Sequence, residues 1–182
     1  MSPLTDRLDR PLRDFRLSVT DRCNFRCTYC MPKEVFGPGH EFLPRDQLLS
    51  FDEMTELVRL FAERGVNKVR ITGGEPLLRR GIEDLVGMVA GVPGVEDVTL
   101  TTNGSLLKRK AAALAAAGLD RVTVSLDAVD DPTFMAMNDV GFPVSTVLEA
   151  IEEAAAVGLG PIKVNCVVKR GVNEHAVLEM AR

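Results

Sequence analysis

The sequence has few cysteines, no long apolar run and no excess of positive charge, and each of these shortages excludes a class of protein. Only four cysteines occur in 182 residues, and residues 1–13 contain no apolar export segment, which argues against a disulfide framework. No stretch of about 18 apolar residues is present, so a membrane span is not expected. The net charge of −4 gives broad nucleic-acid binding no electrostatic support. A cytoplasmic globular protein is expected.

Strand-like and helix-like segments alternate along the chain. Strands are predicted over 15–20, 68–73, 97–103, 121–127 and 162–168. Helices are predicted after Ser50, over 106–117, after Pro143 and over 173–182. Repeated strand–helix units indicate a parallel sheet, either an open doubly wound sheet or a barrel. No G-x-G-x-x-G follows the first strand, which argues against a dinucleotide-binding fold.

Each predicted strand has one polar and one apolar face, because successive side chains point to opposite sides. The polar face carries Arg16, Ser18, Thr20, Lys68, Arg70, Thr72, Thr99, Thr101, Asn103, Thr123, Ser125, Asp127, Lys163 and Asn165. Buried parallel strands are normally apolar on both faces. The pattern therefore favours a wide, partly open barrel with a polar ligand in its lumen. The alternative is a solvated sheet face.

Four cations lie on the predicted lumenal face, although the chain is acidic overall. They are Arg16, Lys68, Arg70 and Lys163. Clustered fixed cations are costly unless an anion neutralises them, and guanidinium forks suit phosphate. A polyphosphate ligand is predicted. The alternative is that some of these cations pair with carboxylates such as Glu75 or Asp127.

Three cysteines follow the first predicted strand in a C-x3-C-x2-C run formed by Cys23, Cys27 and Cys30. Three thiolates would leave one iron of a four-iron cluster open for a ligand, as catalytic zinc sites keep an open position. Zinc with His40 as fourth ligand is the alternative. Cys166 falls on the apolar face and is expected to be a buried packing thiol.

This cysteine run, with the aromatic Tyr29 before its last cysteine, resembles the signature of the radical S-adenosylmethionine (SAM) superfamily. A second mark of that superfamily, the Gly-Gly-Glu-Pro run at 73–76, ends the second predicted strand. The resemblance implies an α/β fold of the radical SAM type. It would be a partial (β/α) barrel, with about five β/α units present of an incomplete six-unit barrel.

Longer segments closely resemble the GTP 3′,8-cyclase family of molybdenum cofactor biosynthesis. They are DFRLSVTDRCNFRCTYCMP at 14–32, VRITGGEPLLR at 69–79, TTNG at 101–104 and KVN at 163–165. The resemblance implies that Cys23, Cys27 and Cys30 ligate a 4Fe-4S cluster. It implies that Tyr29, Gly74 and Ser125 bind SAM. It implies GTP contacts from Arg16, Arg70, Thr101 and Lys163, with Lys68 as a neighbour.

The reaction implied by this resemblance starts when an electron donor reduces the cluster and SAM is cleaved to methionine and a 5′-deoxyadenosyl radical. Hydrogen is taken from the ribose C3′ of GTP, and the carbon radical attacks C8 of guanine. The product is (8S)-3′,8-cyclo-7,8-dihydro-GTP. The resemblance also allows a homodimer of the full-length protein.

The resemblance sets an expected domain organisation of an N-terminal extension over 1–13 and a truncated radical SAM core over 14–182. The family's C-terminal domain, which holds a second cluster, is absent from this sequence, so full activity of this chain alone is not expected. Two other functions fit the residues less well. One is a radical SAM enzyme acting on a peptide or another small molecule, and the other is a non-catalytic module that binds metal or nucleotide.

Overall fold

The sheet has five parallel strands in sequential order. The computed structural model describes residues 4–182, so the first three residues of the expected N-terminal extension lie outside the described part. The strands are β1 (Asp14–Ser18), β2 (Lys68–Thr72), β3 (Asp97–Thr102), β4 (Arg121–Ser125) and β5 (Lys163–Asn165). Their order is β1-β2-β3-β4-β5, and every neighbouring pair is parallel. This order has no reversal point, so it fits a partial barrel and not a doubly wound sheet.

In the described part of the chain, six α-helices connect or follow the strands. They are α1 (Phe51–Ala62), α2 (Ile82–Ala90), α3 (Leu107–Ala116), α4 (Asp131–Asn138), α5 (Val144–Ala156) and α6 (Val177–Met180). Short 3-10 helices occupy Arg45–Gln47, Pro76–Leu78 and Glu174–Ala176. Within residues 4–182, none of the helices is long and apolar enough to cross a membrane.

The helices cover the apolar face of the sheet, as the alternation of side chains predicts. Val69, Ile71, Leu100 and Val124 have no exposed surface and pack in one core with residues of the helices. That core buries apolar surface, which is the main favourable term in folding. The helices do not cover the polar face in this way, and residues of that face line two cavities. The expected division between an apolar core face and a polar face is therefore confirmed.

The strands pair in a register that places lumenal residues in rows. Arg16 is level with Arg70, which is level with Thr99 and then Arg121. One step further along the strands, Thr101 is level with Thr123 and Lys163. Side chains in such a row share a face of the sheet, so cations from four strands approach the same part of the lumen.

The predicted helix boundaries are mostly confirmed. Ser50 and Glu53 form a reciprocal capping box at the start of α1, with Ser50 N donating to Glu53 Oε2 over 2.7 Å. Gly118 and Gly158 follow α3 and α5 with positive φ, which glycine adopts without strain. Pro143 precedes the first turn of α5 instead of lying in it. The last predicted helix is shorter and begins with a 3-10 turn.

Candidate active site

The three cysteines of the C-x3-C-x2-C run line one cavity at the carboxyl ends of β1 and β2. The cavity has a volume of about 310 Å³ and is also lined by Ser18, Thr20, Asp21, Phe25, Met31, Phe36, Gly73 and Gly74. Cys23 and Cys27 are half-buried, whereas Cys30 is exposed. Ligands in parallel α/β folds bind at this end of the strands. The cysteine run and the Gly-Gly-Glu-Pro run thus meet at this cavity, which we call the cysteine hollow.

The glycine pair crosses the cysteine loop at very short range. Gly74 N donates to Thr20 O, and Glu75 N donates to Arg22 O, both over 2.7 Å. A Cβ on Gly73 would lie 2.5 Å from Thr20 O, and one on Gly74 would overlap the Arg22 carbonyl. Only glycine allows this approach, so the Gly-Gly pair holds the β2 loop against the cysteine loop.

Glu75 is a buried acceptor that joins the ends of β2 and β3. Its side chain is 1% exposed and accepts hydrogen bonds from Leu77 N, Thr102 Oγ1 and Asn103 N at 2.7–3.0 Å. Burial raises the pKa of Glu75 to about 7, and these three hydrogen bonds lower it in part. The carboxyl group therefore fixes the strand ends on which the cavity is built.

The raised pKa of Glu75 predicts a pH dependence of stability. Between the ordinary value of 4.5 and about 7, the folded chain holds a proton that the unfolded chain has released. Raising the pH through this window therefore favours unfolding, by roughly 3 kcal/mol in total. Urea unfolding of wild type and Glu75→Gln at pH 4 and pH 8 measures the effect. The stability difference between the two proteins should shift by that amount, because their other titrating groups are shared. A constant difference would contradict the prediction.

An amide network connects the end of β3 to the first cysteine. Asn103 Nδ2 lies 3.8 Å from Cys23 Sγ and 2.9 Å from Asn24 Oδ1. Asn24 Nδ2 in turn donates to Ser105 Oγ over 2.9 Å. An amide donor near a cluster-binding sulfur stabilises its negative charge. Asn103 thus orients the first cysteine from a strand that is 80 residues away in sequence.

Tyr29 connects the cysteine loop to β4. Its hydroxyl donates to Asp127 Oδ2 over 2.8 Å, and Asp127 Oδ1 accepts from Val167 N over 2.9 Å. Burial and the charge of Asp127 raise the pKa of the Tyr29 hydroxyl, so it stays a donor. Burial also raises the pKa of Asp127. Ser125, which ends β4, is half-buried two residues before this carboxylate.

Three thiols around one hollow are a donor set that fits an iron–sulfur cluster. In residues 4–182, no three His, Cys, Asp or Glu side chains are close enough to hold one ion. Thiolates that bind different irons of a cluster stand further apart, and three of them around one hollow match that donor set. Burial raises the pKa of Cys27 to about 12 and also raises that of Cys23, so metal binding must displace their protons. His40, the alternative zinc ligand, packs its ring 4.6 Å from those of Phe36 and Phe42.

The predicted lumenal cations lie toward the amino ends of the strands. Lys68, Arg70 and Lys163 line a second cavity of about 180 Å³, together with Thr99 and Arg121. Arg16 is level with Arg70 on the neighbouring strand but does not line this cavity. Thr101 is half-buried one row closer to the cysteines.

Carboxylates neutralise part of this cation group. Lys68 Nζ lies 3.5 Å from Asp97 Oδ2, and Arg70 Nη2 lies 3.8 Å from Asp14 Oδ1. The partners are therefore not Glu75 and Asp127, which the sequence offered as alternatives. Within residues 4–182, Arg16 and Lys163 form no ion pair. The lumen keeps a net positive charge.

Sequence reasoning missed one cation of the lumen and overestimated the burial of Cys166. Arg121 lies on the lumenal face and pairs with Asp97 through its Nε and Nη2 atoms. Strand parity could have found it, since it stands two residues before Thr123. Cys166 is half-buried, not buried as expected, and its Sγ lies 3.7 Å from Asp127 O. It is separate from the other three cysteines and does not line their cavity.

Comparisons with known proteins agree with this geometry. The chain matches the radical SAM superfamily over residues 17–182. Curated relatives called GTP 3′,8-cyclase include one from Staphylococcus saprophyticus, 53% identical over 98% of this chain and 52% of its own length. Another, from Acidothermus cellulolyticus, is 54% identical over 98% of this chain and 49% of its own length. The chain thus spans about half the length of these relatives.

Solved structures show the same fold at low sequence identity. Streptococcus suis SuiB bound to S-adenosylmethionine aligns with a TM-score of 0.74 at 19% identity, covering 92% of this chain and 36% of SuiB. Methylornithine synthase PylB aligns with a TM-score of 0.71 at 14% identity, covering 91% of this chain and 47% of PylB. The expected radical SAM architecture is confirmed. This chain belongs to the radical SAM superfamily.

Proposed function

We propose that this chain is the SAM-binding and GTP-binding part of a GTP 3′,8-cyclase of molybdenum cofactor biosynthesis. Residues 14–182 would be its radical SAM core. The observation that carries the proposal is the position of a cation-lined cavity in the same lumen as the three-cysteine hollow. Relatives more than half identical and called GTP 3′,8-cyclase support the same substrate.

The proposed cofactor is a 4Fe-4S cluster held by Cys23, Cys27 and Cys30, with SAM beside it. When bound, the cluster and SAM supply the radical that starts the cyclisation of GTP to (8S)-3′,8-cyclo-7,8-dihydro-GTP. The proposed SAM contacts are Tyr29, Gly74 and Ser125. The close crossing of the glycine loop and the Tyr29–Asp127 hydrogen bond support this role, because both shape the cysteine hollow.

The proposed GTP contacts form two groups, one for the triphosphate and one for the nucleoside. Arg16, Lys68, Arg70 and Lys163 would bind the triphosphate, since fixed cations and guanidinium forks suit phosphate oxygens. Thr101, one row nearer the cysteines, would contact the nucleoside. The chain's part is to hold the ribose close to the cofactor and to exclude water from the lumen. The proposal includes an electron donor, a homodimer of the full-length protein and a location in the reducing cytoplasm.

The test is GTP binding by the anaerobically reconstituted chain, measured by titration calorimetry. Arg70→Gln removes a charge-assisted contact worth about 1.5–3 kcal/mol, so the GTP affinity should fall at least about tenfold. Arg109→Gln on the exposed face of α3 makes the same change of charge away from the lumen and should leave the affinity unchanged. Equal GTP affinities for wild type and Arg70→Gln would count against the proposal and favour a different radical SAM substrate.

A further inference from the structure

A third cavity lies outside the lumen, at the amino ends of α1 and α2. Its volume is about 500 Å³, and four guanidinium groups line it, from Arg22, Arg45, Arg79 and Arg80. It shares Thr20 with the cysteine hollow and no residue with the lumenal cation cavity. Four arginines around one hollow are unexpected in a chain with 26 acidic and 22 basic residues.

These arginines have no carboxylate partners. In residues 4–182, none of the four forms an ion pair, whereas Arg10, Arg59 and Arg121 do. Asp84 is the one carboxylate among the residues that line the hollow. Crowded like charges raise the energy of the folded chain unless an anion offsets them. The surplus positive charge is therefore available to a ligand.

Arg79 is fixed in place as part of the wall. Its Nη1 donates to Val19 O over 2.7 Å, and its Nη2 donates to Leu49 O over 2.6 Å. Its guanidinium also stacks over the Phe51 ring, 5.2 Å from the centroid. Burial and the nearby Arg45 charge lower the pKa of Arg79.

Arg45 and Arg80 are the groups that remain free to bind. Both are exposed, and neither side chain makes a hydrogen bond with another described residue. Gly81, the N-cap of α2, provides no side chain to cap the helix, whose amino end also borders the hollow. Guanidinium forks and helix amide groups both favour phosphate oxygens. The concave shape favours a small anion over a flat surface contact.

We propose that this cavity, formed by Arg22, Arg45, Arg79 and Arg80, is a second anion site that binds a small phosphate-bearing ligand. Arg45 and Arg80 engage the phosphate oxygens, and Arg79 holds the wall. The site is distinct from the proposed GTP lumen and does not depend on that assignment.

The test uses inorganic pyrophosphate and titration calorimetry on the chain carrying Arg70→Gln and Lys163→Gln, which weaken anion binding in the lumen. Adding Arg45→Gln and Arg80→Gln should weaken the remaining pyrophosphate binding at least about tenfold. Adding Arg64→Gln and Arg109→Gln removes two exposed charges elsewhere and should change it less than about twofold. Far-UV circular dichroism and the thermal midpoint confirm that each variant is folded.

Three outcomes would overturn the second anion site. One is the absence of pyrophosphate binding in the lumenal background variant. Another is an equal loss of pyrophosphate affinity when the Arg45 and Arg80 pair or the Arg64 and Arg109 pair is replaced. That result would indicate a general effect of net charge. The third is tighter binding of a hexaglutamate peptide than of pyrophosphate, which would assign the arginines to an acidic protein surface. All three are measured in the Arg70→Gln and Lys163→Gln background, so they do not depend on GTP binding in the lumen.

Discussion

A Cys27→Ala variant will not assemble a four-iron cluster. Wild-type chain reconstituted anaerobically should bind about four irons and four sulfides, whereas the variant should retain less than about a quarter of that amount. The reason is that two thiolates remain at the hollow, and no other side chain there offers a soft anionic ligand. Iron and sulfide analysis with the visible absorbance of the cluster measures the loss.

Cys166→Ala is the matched control for this loss. Its thiol does not line the cysteine hollow and lies beside the Asp127 carbonyl, so the variant should keep the wild-type iron content. Low-temperature EPR of the reduced control should change when SAM is added, because in the proposed site SAM would bind the iron that has no cysteine. A Cys27→Ala chain with normal iron content would contradict the ligand assignment.

Gly74→Ala will destabilise the chain and impair cluster loading together. The new Cβ would lie 2.5 Å from Arg22 C and 3.0 Å from Asp21 O, in addition to overlapping the Arg22 carbonyl oxygen. These are backbone atoms that cannot rotate away, and the same carbonyl accepts the Glu75 N–H. Overpacking and the weakened hydrogen bond should lower the free energy of unfolding by about 3 kcal/mol.

The effect on cluster loading follows from the same contact, because Arg22 immediately precedes the first cysteine. Urea unfolding of the apo chain gives the stability change, and iron analysis after reconstitution gives the loading. Gly39→Ala is the matched control, since a Cβ there meets no atom within 4 Å and φ is not positive. Equal stabilities for the two glycine variants would show that the crossing can relax, contrary to the prediction.

Strand positions and the polar face could be predicted because they depend on the alternation of side chains along single segments. The networks at the strand ends could not. Glu75 meets Asn103 across 28 residues, and Tyr29 meets Asp127 across 98 residues. Such contacts depend on which loops are adjacent in the folded chain, and local periodicity carries no information about that.

Among the segments that differ from the sequence interpretation, two do so for identifiable reasons. Helix α4 was not predicted, and the side chains that it buries include Thr133 and Asn138, so it lacks an apolar stripe. Strand β5 was predicted over 162–168 but ends at Asn165. Beyond that point, Val167 N donates to the Asp127 carboxylate instead of a strand partner. In both cases polar side chains made contacts that a hydrophobic pattern does not reveal.

The register of the sheet sets a minimum length for a productive ligand. Counted from the row of Arg16 and Arg70, Ser18 and Gly74 of the cysteine hollow lie two and four residues further along, which corresponds to about 7–13 Å at an extended rise. A molecule must bridge about that distance to touch the cation row and the cysteine hollow at once. Inorganic phosphate can occupy the cations but cannot reach the cysteines. Short anions should therefore compete with a longer ligand for the cations. Their inhibition constants should depend on their charge and not on any resemblance to a nucleoside.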